Sequence, residues 1–75
     1  GWFKNVDVSG QILELIQFKN GKWDGLSIQW YPNGRKAMEG NYKDGKQDGL
    51  WIFYNDEDGA EDGRETYKNG EPVGD

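Results

Sequence analysis

Seventy-five residues without a cysteine, 33% hydrophobic and 31% charged, make one small unit that no disulfide can staple. A net charge of −5 argues against nucleic acid, whose affinity rests on Lys and Arg neutralising phosphates, and against an anionic membrane surface. The longest apolar run, Leu50 to Tyr54, is far shorter than the ~20 residues that span a bilayer, so no membrane insertion is expected, and no secretory leader is visible. So polar a chain invites comparison with disordered sequences, but four Trp, four Tyr and three Phe argue for a packed fold. Each buried aromatic removes roughly 150–250 Å² from water, so the aromatics must carry the stability.

Read in order, the chain repeats. Gly1, Gly25, Gly49 and Gly74 recur at intervals of 24, 24 and 25 residues. The columns Gly10/Gly34/Gly59, Phe18/Tyr42/Tyr67, Lys19/Lys43/Lys68 and Gly21/Gly45/Gly70 keep the same register. A period of this size marks a repeat architecture. The units are 1–24, 25–48 and 49–73, with 74–75 opening a fourth. Because the chain starts and stops near unit boundaries, it reads as a section of a longer array.

Each unit holds two short runs and two turns. The first run is Trp2–Val6, Leu26–Tyr31 or Leu50–Tyr54, and the second is Gln11–Phe18, Arg35–Tyr42 or Ala60–Tyr67. Asn20-Gly21, Asp44-Gly45 and Asn69-Gly70 close the units. These dipeptides are strong hairpin signals, because both central positions of a type I′ turn need positive φ. The regular spacing accounts for the glycines as turn residues. Runs of this length, rich in β-branched and aromatic residues between such turns, predict about six antiparallel strands and no helix. Gln11–Phe18, with four aliphatics, is the most helix-like stretch, and alignment with the other units assigns it to strand.

Alternation in the first runs predicts which face packs. Trp2/Leu26/Leu50, Lys4/Ile28/Ile52 and Val6/Trp30/Tyr54 share one face, apolar at every position but Lys4, and this is the expected packed face. The other carries Phe3/Ser27/Trp51, Asn5/Gln29/Phe53 and Asp7/Tyr31/Asn55, and is mixed: polar in the middle unit and aromatic in the last. In the second runs, Phe18/Tyr42/Tyr67 is expected to stack along the array, with Tyr42 the most buried because it alone has a counterpart on both sides.

The pattern G-L-x-x-x-[WY]-Y-P-N-G followed by Y-K-[DN]-G-K-x-D-G, clearest in Gly25–Gly49, resembles the MORN-repeat family. It is most similar to a variant found in bacterial proteins, some of them described as antitoxins of toxin–antitoxin pairs. The resemblance implies an all-β fold, an elongated single-layer antiparallel meander of three stacked β-hairpins. It also implies a scaffold or binding role without catalytic residues. The first unit departs from the pattern, with Asp7-Val8-Ser9-Gly10 in place of Tyr31-Pro32-Asn33-Gly34, and the third carries an acidic insertion.

Nothing in the sequence marks an enzyme. There is no His and no Cys, which closes the usual routes to an activated nucleophile. The acidic residues fall mostly in turns, where solvated charge explains them. No phosphate-binding or dinucleotide fingerprint is present, and no cofactor is expected. Asp56, Asp58 and Asp62, in the stretch Asp56–Gly63, are candidates for a weak cation site, although the EF-hand template fails because Ala60 and Asn69 occupy ligand positions. The alternative is a solvated hairpin tip. Trp51, Phe53, Tyr31 and Phe3 are the candidate partner-contact residues, with packing against further units as the alternative. Trp23, between the first two units, is either a cap over the first hairpin or a contact residue.

The expected function is therefore a non-catalytic scaffold for protein–protein interaction or self-association. An antitoxin-like protein that sequesters a specific partner and a spacer segment of a larger envelope protein are the alternatives.

Overall fold

A computed structural model describes residues 1–74. Seven strands follow one another: β1 (Trp2–Val6), β2 (Ile12–Lys19), β3 (Lys22–Trp30), β4 (Lys36–Lys43), β5 (Lys46–Tyr54), β6 (Glu61–Lys68) and β7 (Glu71–Pro72). Every strand pairs antiparallel with its chain neighbour, so spatial order equals sequence order. The all-β antiparallel meander is as expected, and Gln11–Phe18 contributes a strand. Glu71–Pro72 adds a short seventh strand that the turn pattern had not marked. The molecule measures 34 × 32 × 11 Å. It is one layer thick but as wide as the strands are long, so at this number of units it is a plate rather than an elongated rod.

The hairpin turns form where their chemistry requires. Asn20, Asp44 and Asn69 have φ of 52, 51 and 52°, and Gly21, Gly45 and Gly70 follow at 79, 85 and 84°. Both central residues are thus left-handed, which suits the right-handed twist of the flanking strands. At the other end, Gly10 N donates to Asp7 O at 3.0 Å and Gly34 N to Tyr31 O at 2.9 Å. Asp7-Val8-Ser9-Gly10 therefore makes the same backbone turn as Tyr31-Pro32-Asn33-Gly34, despite its different residues. In the third unit the inserted residue lengthens the loop, which Asn55 N closes onto Ala60 O at 3.1 Å.

One glycine column is not a turn column. Gly25 and Gly49 lie inside β3 and β5 with φ of 110 and 79°. The register slips beside them, between Ile16 and Phe18 in β2 and between Glu39 and Asn41 in β4. These are β-bulges, which need a residue free to adopt positive φ. At the first bulge the Gln17 side-chain oxygen accepts the Leu26 N–H at 2.8 Å, satisfying a donor that the ladder leaves free. The bulges let the strand run on through the unit boundary, so β3 and β5 begin before the first runs marked by sequence.

The deepest residues overturn the expected packed face. Ile16 is 4% exposed, Ser27 1% and Trp51 1%. Ile16 opposes Phe3 and Ser27, and Ser27 opposes Gly40, which places them on one face with Trp51. The face chosen from its leucines and isoleucines is the more open one, with Trp2 at 49%, Val6 at 45% and Leu50 at 43% exposed. The physical reason is size complementarity. A Cβ on Gly40 would overlap the Trp51 ring, so that ring lies flat across the bare backbone of β4. Trp51 Nε1 donates to Asn41 O at 3.0 Å, so the buried indole keeps its hydrogen bond. A single-layer sheet has no second layer, and a ring folded down onto a glycine gives it one locally.

Candidate functional site

Trp51 belongs to an aromatic ladder. Phe18 and Trp23 lie 6.4 Å apart between centroids, Trp23 and Tyr42 6.5 Å, Tyr42 and Trp51 5.1 Å, and Trp51 and Tyr67 6.3 Å. Several of these are edge-to-face, the arrangement that the ring quadrupoles favour. Phe18, Tyr42 and Tyr67 therefore do not stack on one another, because a tryptophan stands between successive members. Tyr42 is half-buried between two tryptophans, whereas Phe18 at the end remains 38% exposed. Burial, and then the Glu14 charge, raise the Tyr42 phenol above its ordinary pKa.

The four residues marked as contacts separate. Trp51 is packing, and its burial removes it from any surface this structure offers. Phe53 is half-buried on the same face, between Met38 and Gly63. Tyr31 is half-buried and stitches one unit to the next: its hydroxyl donates to Tyr54 O at 2.6 Å, and nearby Asn33 Nδ2 donates to Asp56 O at 2.9 Å. Phe3 stays accessible at 40%. It leans onto Trp23, with centroids 5.4 Å apart.

The candidate cation residues do not assemble. Asp58 Oδ1 accepts the Ala60 N–H at 2.9 Å, and that bond, then the Asn55 side chain, lowers the Asp58 pKa. Asp56 lies in the turn, where its backbone oxygen accepts from Asn33, and Asp62 is exposed on β6. Among the described residues no group of three or more His, Cys, Asp or Glu is placed to hold a metal ion. Glu61, beside them, pairs with Arg64 at 2.5 Å.

What remains is a cluster at the first edge of the sheet. Phe3, Phe18 and Trp23, with Gly21, Lys22 and Gly45, line an open apolar depression of about 580 Å³. Trp23 is a strand residue of β3 that faces Phe18 across the Asn20-Gly21 turn, so it is neither a turn residue nor a simple cap. The equivalent pairs in the later units are Tyr42 with Gln47 and Tyr67 with Pro72. Only the first unit therefore sets two aromatics against each other there. Sequence reasoning left Phe18 in the packed column and Trp23 undecided. The missing signal was the two-residue turn itself, which fixes Lys19 opposite Lys22 and hence Phe18 opposite Trp23. Comparison of the chain with protein-family models, curated proteins and solved structures finds no match.

Proposed function

We propose that the chain is a non-catalytic, MORN-like repeat module that binds another protein through the aromatic cluster Phe3, Phe18 and Trp23. The observation that supports this reading is a contrast within one face. From Tyr42 onward the rings close against one another and Trp51 is buried, while at the β1 edge Phe3 and Phe18 stay 40% and 38% exposed beside an apolar depression. Exposed aromatics grouped around a concavity are the usual anchors of protein interfaces. The net charge of −5 favours a protein over nucleic acid as the partner.

The test is a pull-down from the source organism with wild type and with Phe3→Ser combined with Phe18→Ser. Both side chains are accessible enough for the double variant to stay folded, which its melting curve verifies. Loss of the captured partner at unchanged fold is the expected result. A partner held equally well by the double variant, or no partner at all, overturns the reading.

A further inference from the structure

The face turned away from the aromatic ladder carries a row of lysines at its turn end. Phe18 opposes Trp23 and Tyr42 opposes Gln47 on the aromatic face. The pairs one residue nearer the turn, Lys19 with Lys22 and Lys43 with Lys46, therefore project from the other face. Lys68 follows Tyr67 in the same way and opposes Glu71. These five make up more than half of the nine Lys and Arg residues, in a chain of net charge −5. All five are exposed, and the ion pairs among the described residues, Lys36 with Glu39 and Arg64 with Glu61, include none of them. Like charges set directly across a hairpin destabilise it. The third turn shows that the fold accepts an opposite-charge pair at the same place. Lys22 and Lys46 are thus not what the hairpins need, and the cost of holding them there points to a ligand.

An apolar row lies on the same face. Leu26 and Leu50 adjoin Ser27 and Trp51 along β3 and β5, so they project from the lysine face. Leu26 is half-buried and Leu50 is 43% exposed. Lys22, Lys43, Lys46 and Lys68, with Asp44 and Asp48, line an open depression of about 420 Å³. The complement of this surface is both anionic and apolar. A phosphate polymer would leave the leucines uncovered, and Asp44 and Asp48 repel a dense run of phosphates. An acidic protein segment supplies both properties. Its shape follows from spacing. Leu26 and Leu50 stand on alternate strands, roughly 9–10 Å apart across the sheet. Seven residues of α-helix rise about 10.5 Å and return to the same side. Three residues of extended chain cover roughly 10 Å, but alternation turns the next contact to the opposite side.

We propose that the lysine and leucine rows form a docking surface for an acidic amphipathic helix of a partner protein. The helix lies across the strands, with its apolar stripe on Leu26 and Leu50 and its carboxylates toward Lys22, Lys43, Lys46 and Lys68. This surface is separate from the Phe3, Phe18 and Trp23 cluster, which lies on the other face, and does not rest on it.

The probe is a capped three-heptad peptide, with leucine at two positions of each heptad, glutamate beside them, and alanine and glutamine elsewhere. It is titrated into the whole chain and followed by amide NMR. The expected result is saturable binding that shifts the amides of Leu26, Leu50 and the five lysines, makes the peptide helical by circular dichroism, and weakens as salt rises. Lys22→Glu combined with Lys46→Glu repeats the pairing of the third turn. Its melting temperature should be no lower than wild type, while binding falls about tenfold or more. Leu50→Gln, at an exposed position, should weaken binding independently. Phe3→Ser with Phe18→Ser should leave it unchanged. No binding, equal binding of a scrambled peptide of the same composition, or binding indifferent to the lysine and leucine variants overturns the proposal. So does a chain that binds anionic phospholipid vesicles or single-stranded DNA but not the peptide. Loss of the peptide in the Phe3 and Phe18 variant also overturns it, because the peptide would then sit on the aromatic cluster.

Discussion

The aromatic face has a closed half and an open half, and small residues divide them. In the closed half Trp51 covers Gly40, which lies opposite Ser27, and Tyr42 and Tyr67 meet its ring. In the open half Ile16 fills the position equivalent to Gly40, so Phe3 cannot lie down as Trp51 does and tilts onto Trp23 instead. The same repeat thus gives a core in one place and an accessible cluster in another, according to which side of the pair is large. Replacing Trp51 breaks this comparison most directly. Trp51→Ala should destabilise the chain by about 3–5 kcal/mol, as for other buried aromatics, whereas Phe3→Ala should cost about 1 kcal/mol or less. Chemical denaturation measures both. Equal losses would show that the two halves contribute alike. The exchange of Trp51 and Phe53 for Ser and Gln, the residues of the middle unit, should unfold the protein before it tests any contact.

Tyr42 joins the two halves, with Trp23 on one side and Trp51 on the other. It is half-buried, so Tyr42→Ala should cost about 2–3 kcal/mol, less than Trp51→Ala and more than truncating terminal Phe18. A melting temperature that moves no more than for Phe18→Ala would mean that the ladder does not transmit packing from unit to unit.

How much of this was legible follows from what is local. The turns Asn20-Gly21, Asp44-Gly45 and Asn69-Gly70 carry their own chemistry, so the hairpins, the antiparallel order and the repeat register could be read. Choosing the packed face could not be done by counting apolar residues, because Leu26, Ile28, Leu50 and Ile52 outnumber Ser27 and Gln29. The decisive fit joins Ser27, Gly40 and Trp51 from three strands, and their register depends on bulges at Gly25 and Gly49 that look like turn glycines in sequence. The contact residues failed for the same reason: Trp51 looked like an unneeded aromatic because the smallness of its neighbours was not recognised as the space for it. Pro72 hid the last strand, since a proline argues against pairing and is tolerated only at an edge.

The opposite face offers a pH-dependent comparison. Tyr54 Oη donates to Glu39 Oε1 at 2.5 Å, and Lys36 Nζ lies 3.2 Å from the Glu39 carboxylate. The Tyr54 bond first, with Lys36 adding to it, lowers the Glu39 pKa against the opposing effect of burial. A carboxylate held below its unfolded pKa contributes stability above the ordinary range of about 4.3, and that contribution is lost as pH falls through the folded value. The tyrosine behaves oppositely: the bond to Glu39, followed by burial, raises its pKa, so its contribution is present below about pH 10 and is lost at higher pH. Glu39→Gln should therefore flatten both limbs of the stability–pH curve, leaving neutral stability little changed because the site is partly exposed. An unaltered acid limb would show that Glu39 is equally paired in the unfolded chain.

The smallest expected effect tests why the boundary residue is a serine. Ser27 is 1% exposed, and its Oγ has no hydrogen-bond partner among the described residues. Burying an unpartnered hydroxyl costs about 1–3 kcal/mol, and removing it returns part of that cost while forfeiting little contact. Ser27→Ala keeps the space that Trp51 occupies and should stabilise the chain by about 0.5–1 kcal/mol. Ser27→Val, which is larger, should destabilise it by crowding the indole over Gly40, by about 1–3 kcal/mol. The opposite signs separate the two properties of serine. If alanine destabilises as valine does, the hydroxyl is needed, and smallness is not what position 27 supplies to the closed half of the sheet.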